Sequence, residues 1–246
     1  MSGRFVVGVG GTDPVDAAEA WAAAHASLSG SRVVRVHVGA PEPGTARSSA
    51  DTPSDVVFLS GAVPEALADF VRDEDILVIG TGKTGFIRSR VFGTLSLQIA
   101  AEARCGVAVI PRVDLRFRRG IVAGVKDDEV LPAIVHAAAD EANAREETLQ
   151  LIHSSGEGLV PAPIEIGGPV LDRAAAMAVE RAPNARLRIR ASERPPAEAL
   201  LDASRNASLL VIGAGHPRGA GHALGAVTHD VLVNINAPVL VVRPTA

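Results

Sequence analysis

Two glycine-spaced segments hold the residues whose types and spacing could do chemistry. In the first, Gly80, Gly82 and Gly85 precede Gly93-Thr94, with Lys83, Arg88 and Arg90 between them. In the second, Gly213 and Gly215 precede Gly225-Ala226. A glycine-rich stretch running into a helix start leaves N–H groups unpaired, and the helix dipole points the same way. Both segments are therefore candidate anion sites. In the first, backbone N–H groups and the Thr94 hydroxyl would donate to a phosphate chain, and the three basic residues would supply charge. The competing reading is a plain connection with solvated basic residues. The run GTGKTG (80–85) is not a P-loop, because that motif needs a glycine where Leu77 stands inside an apolar strand.

Other reactive residues give less. Asp127 and Asp128 could hold Mg²⁺ or cap the helix that follows; capping is the better reading. His37 and His153 fall at matching strand ends, as a paired site or as a residue kept by duplication, the second being favoured. Cys105 begins an apolar strand and reads as core. The seven histidines show no metal-ligand spacing. No ordered Ser–His–Asp pattern or Cys–His pairing is present, so no catalytic constellation follows.

The elements that must position these residues repeat. Residues 76–112 (ILVIGTGKTG…GVAVIPR) and 209–243 (LLVIGAGHPR…PVLVVR) each give a strand, a glycine loop, a helix and a second strand. Such recurrence at a fixed order means domain duplication. Around these units, RFVVGVG, 32–38 and 56–61 are strands of the first half, with helices after Asp13-Pro14 and at 63–73. In the second half, 119–125, 148–154 and RLRIRAS are strands, and 129–144, 170–182 and PPAEALLDASR are helices. The helix at 170–182 has no counterpart in the first half, where 39–54 reads as a Gly/Pro/Ser loop. Strands of 76–80 and 106–110 are expected to flank the first loop. Alternating strands and helices imply parallel, doubly wound sheets, with domains at 1–113 and 118–246.

Composition fits this plan. The chain has 246 residues, 47% of them hydrophobic and only 3% aromatic, so its cores are built from Ala, Val, Leu and Ile. A net charge of −4 without Lys/Arg runs argues against a nucleic-acid or membrane-surface partner. A single cysteine excludes an internal disulfide. With no long apolar segment near Met1 or elsewhere, a cytoplasmic protein is expected.

The ordered set of motifs resembles a universal stress protein of the UspA type, duplicated in tandem. Three features carry this: the opening VVGVGGT…AAEAWAAAHA, the glycine loops, and the endings CGVAVIPR (105–112) and APVLVVRP (237–244). The resemblance implies two Rossmann-like domains of the adenine nucleotide alpha hydrolase type, each a five-stranded parallel sheet flanked by helices. It also implies that 106–110 and 238–242 pair edge to edge as an internal pseudo-dimer, covering two apolar edges. Some members of the family bind ATP; others have lost the motif.

Carried over by residue, Gly80 takes the loop's first glycine position, Lys83 stands for its second, and Gly93 and Thr94 match its close, with Leu95 next. Gly82 is an additional loop glycine. Gly10 replaces the strand-one Asp expected near the nucleoside, and Val38 falls where a backbone contact to the base belongs. In the second half Gly213 matches the first glycine. His216 takes the second position beside Gly215, the loop is one residue short, and Gly225 is followed by Ala226 rather than a hydroxyl residue. Lys126 replaces the second Asp. The expectation is a cytoplasmic stress protein binding ATP with Mg²⁺, or a related adenine nucleotide, in the first half. The alternative is a nucleotide-free interaction module with degenerate loops. An ATP-dependent adenylating enzyme is the least supported reading. A homodimer is left open, as is the protein partner.

Overall fold

The computed structural model describes residues 3–9, 17–39, 56–84, 94–156, 168–215 and 224–244. The first half contains β1 (Phe5–Gly8), α1 (Ala17–Ser29), β2 (Val33–Val38), β3 (Val56–Leu59), α2 (Val63–Phe70), β4 (Ile76–Thr84), α3 (Thr94–Glu102) and β5 (Gly106–Arg112). The second contains β6 (Ile121–Gly124), α4 (Leu131–Arg145), β7 (Leu149–Ser154), α5 (Pro169–Arg181) and β8 (Leu187–Ser192). It continues with α6 (Pro196–Ser204), β9 (Leu209–Gly213), α7 (Ala226–Val233) and β10 (Val239–Val242).

The ten strands of the described residues join one sheet in the order β3-β2-β1-β4-β5-β10-β9-β6-β7-β8. Pairing is parallel within each half. The join is antiparallel, with Val109, Ala108 and Val107 opposite Val239, Leu240 and Val241. The expected edge-to-edge pairing of the two terminal strands is therefore what closes the sheet. Central strands are apolar on both faces because helices cover both. The outer strand β8 instead exposes Arg188 and Arg190, charges that discourage further strand addition.

Two apolar layers result, and each runs through both halves. One holds Phe5, Trp21, Ala108 and Ile110 together with Ile121, Leu151, Leu240 and Val242, under α1, α4 and α5. The other holds Val6, Leu67, Val107 and Val109 together with Val122, Ile212, Val239 and Val241. Alanines let helices sit close to the sheet: Ala138, Ala139 and Ala142 of α4 are fully enclosed. Pro132 lies in the first turn of α4, where its missing N–H costs nothing.

Polar contacts also cross the join. The buried His25 of α1 lies 3.2 Å from the Glu141 carboxylate of α4, which accepts from Arg145 Nε at 3.1 Å. Arg145 Nη2 in turn bonds His25 Nε2. Cys105 is buried as expected, and burial pushes its thiol up to about 11. Thiol reagents at pH 8 should therefore leave the native chain unmodified and react only after unfolding, since the thiolate is the nucleophile; rapid native-state labelling would contradict this placement.

The expected boundaries need two corrections. β4 runs to Thr84 rather than ending at Gly80, with a register shift between Gly80 and Thr84, and Thr84 pairs with Arg112. Gly82 and Lys83 are thus on a strand extension, not in a loop. Correspondingly, β5 continues past residue 110 to Arg112.

Candidate ligand cavities

Each half opens a cavity where its strands end. In the order β3-β2-β1-β4-β5, the chain steps outward from β1 and then returns to its other side. The carboxyl ends of β1 and β4 therefore meet at a topological switch point, the usual ligand position in such sheets. A 330 Å³ cavity lies there, lined by Gly8 and Val9 after β1, His37 and Val38 of β2, Gly80 and Thr81 of β4, and Leu95, Ser96 and Ile99 of α3. The second cavity, 380 Å³, lies between the ends of β6 and β9 and the starts of α4, α6 and α7. Because the halves join antiparallel, the two cavities open at opposite ends of the sheet and cannot share a ligand.

Of the first-half residues singled out by sequence, Val38, Gly80 and Leu95 line the first cavity, and Thr94 opens α3. Gly82 and Lys83 lie along β4. Gly10, Gly85, Arg88, Arg90 and Gly93 fall outside the described residues, as does the loop at 40–55 where a helix is lacking from the sequence. Sequence reasoning passed over Thr81. It is only 4% exposed, and its hydroxyl is buried without a hydrogen-bond partner among the described residues. Such a group costs about 1–3 kcal/mol if left unpaired, so its place on a cavity wall favours a ligand that pairs it. The available signal was its position directly after Gly80, the first glycine of the pattern.

In the second half, Gly213, Gly215 and Gly225 line the cavity as a group, while His216 lies outside the described residues. Gly215 has φ +77°, and a Cβ there would come within 2.7 Å of Gly225 Cα. Only glycine permits that approach. The Gly225 N–H donates to Ala214 O at 2.8 Å, drawing the ends of the intervening segment together. Thr228, which the register of the repeat aligns with Ser96, donates its hydroxyl to Gly213 O at 2.7 Å. The Thr228 hydroxyl is therefore already paired, unlike that of Thr81.

The histidines have structural partners. His37 Nδ1–H donates to Val9 O at 3.0 Å, and His153 Nδ1–H to Val125 O at 2.9 Å. Each ties the end of a second strand to the end of a first. With six strands between β2 and β7 in the sheet order, they are one feature repeated and not a shared site. Asp128 accepts from the Val130 N–H at 3.2 Å, organising the turn before α4, and Asp127 pairs with Arg173. Among the described residues no group of three or more His, Cys, Asp or Glu is placed to hold a metal ion, and no helix is long and apolar enough to cross a membrane.

The model of the universal stress protein family matches residues 118–243. This chain belongs to that family. A universal stress protein of Mycolicibacterium smegmatis is 26% identical over 98% of this chain and 97% of its own length. One from Mycobacterium tuberculosis is 26% identical over 82% of this chain and 72% of its own. Among solved structures, a functionally unknown protein from Pseudomonas aeruginosa is similar with a TM-score of 0.65, at 17% identity, over 98% of this chain and 92% of that one. A universal stress protein from Archaeoglobus fulgidus gives 0.58 at 14% identity, over 98% and 86%. The universal stress fold is thus shared along both halves, although the family model reaches only the second.

Proposed function

We propose that this universal stress protein binds an adenine nucleotide, ATP being the first choice, in the first-half cavity, and that 1–113 and 118–246 act as its two domains. The observation that carries the reading is the buried, unpaired Thr81 hydroxyl on the wall of the 330 Å³ cavity at the switch point. That volume is within the usual range for small-molecule sites. Val38 main chain and His37 would face the nucleoside, and Thr81, Ser96 and the first turn of α3 would hold phosphate. The helix start favours negative charge there. Mg²⁺ would arrive with the nucleotide. The role is a stress response in which occupancy changes the surface offered to a partner.

The alternative, a nucleotide-free interaction module, is favoured by a different observation. β4 continues as strand through Gly82 and Lys83, which takes them out of a phosphate-wrapping loop. Thermal shift separates the two readings. ATP should raise the melting temperature of the chain, and Thr81→Val should weaken apparent affinity about tenfold, the worth of a hydrogen bond to a charged ligand. An ATP-induced shift of the same size in Thr81→Val would remove Thr81 from the site.

A further inference from the structure

Arg243 stands just beyond β10, at the end of the second half, yet its side chain is turned to the first. Its Nη2 donates to Ala100 O at 2.6 Å and to Ala101 O at 3.2 Å. Both carbonyls lie in the last turn of α3, where a helix leaves its C=O groups open and its dipole is negative. The other end of α3 lines the first cavity through Leu95 and Ser96, and Ile99 lines it from further along the helix. Burial pulls the Arg243 pKa below the usual arginine value, against an opposing effect of Cys105. Its Nε is buried without a partner among the described residues, a cost that a solvated surface arginine does not carry.

The base of this side chain is fixed as firmly as its tip. Val242, the preceding residue, pairs with Gly213 on the floor of the second cavity, and its carbonyl accepts from the Ala214 N–H at 2.9 Å. Ile110 pairs with Gly80 as Val242 pairs with Gly213, so the first-half counterpart of Arg243 is Pro111, which has no side-chain donor.

We propose that Arg243 is a positioning residue for the first cavity: by holding the last carbonyls of α3 it sets where the first turn of that helix stands, so the second half controls ligand binding in the first. This rests on the nucleotide reading only for the identity of the ligand.

The test uses the full chain, ATP–Mg²⁺ as probe, and hydrogen exchange of the α3 amides at 98–102, which close the helix onto its first turn. Arg243→Ala should bind ATP about tenfold more weakly, a usual size for coupling between distinct parts of a protein, and should exchange faster at 98–102. Arg243→Lys, which keeps the charge and loses the planar fork, should fall between. Unchanged ATP affinity in Arg243→Ala, with only a lower melting temperature, would overturn the proposal. If the unmutated chain takes no ATP, the nucleotide reading fails by itself and exchange decides. Faster exchange at 98–102 in Arg243→Ala then upholds the positioning role, and unchanged exchange overturns it.

Discussion

Replacing Leu240 by alanine is expected to destabilise both halves together, by about 3 kcal/mol. Leu240 is 3% exposed and belongs to the apolar layer that includes Phe5 and Trp21 of the first half and Ile121 and Leu151 of the second. Its strand partner across the join is Ala108, too small to close the gap that truncation would leave. The loss is large beside the roughly 5–15 kcal/mol that holds an ordinary domain folded. The single tryptophan, Trp21, lies in the first half, edge-on to Phe5 with ring centroids 6.1 Å apart. Its fluorescence therefore reports the half that does not carry the mutation. The fluorescence midpoint and the far-ultraviolet circular dichroism midpoint should fall together in Leu240→Ala. A Trp21 midpoint that stays at its unmutated value would show that the halves unfold separately and that the shared layers do not couple them.

Asp75→Ala is expected to cost roughly 3 kcal/mol, through groups left unpaired in a buried setting. The Asp75 side chain is 1% exposed. It accepts from the Arg4 N–H at 3.0 Å, from Arg4 Nε at 3.1 Å and from the Arg72 N–H at 3.0 Å. Arg4 Nη2 completes a two-point pair at 2.5 Å, so one carboxylate fastens the start of β1 to the start of β4. Burial alone would raise its pKa, but the Arg4 hydrogen bond, the backbone donors and the Arg4 charge outweigh that and hold it below the usual carboxylate range. A depressed folded pKa contributes stability that is complete above the unfolded value, near pH 4, and is lost as pH falls through the folded value. Asp75→Asn should therefore flatten the acid limb of the stability curve, as urea melts across that range would show. An acid limb unchanged from the parent would mean that other carboxylates set it.

The duplicated strand–loop–helix–strand units were legible because buried parallel strands write themselves as continuous apolar runs: ILVIG and LLVIG announced β4 and β9. Pairing of the terminal strands was implied by the family resemblance, and it covers two apolar edges in one chain. The extension of β4 through Gly82 and Lys83 was not legible, since neither residue favours strand and the pairing of Thr84 with Arg112 is a tertiary choice. Asp75 sits in the run DEDIL beside Asp73 and Glu74, and nothing local marks it as the one turned inward. The contacts of Arg243 with α3 and of His25 with Glu141 join residues far apart in the chain, so no spacing rule could reach them. At the candidate site, glycines drew attention through their pattern, whereas Thr81 became informative only once its burial and missing partner were visible.

The central claim is that the first-half cavity takes one adenine nucleotide and that Thr81 takes part. Calorimetric titration of the full chain with ATP–Mg²⁺, beside Thr81→Val, tests it most directly. The account predicts one ATP per chain with about micromolar affinity, weakened about tenfold in Thr81→Val. No heat and no thermal stabilisation at about millimolar ATP would contradict it and leave the chain as a nucleotide-free interaction module.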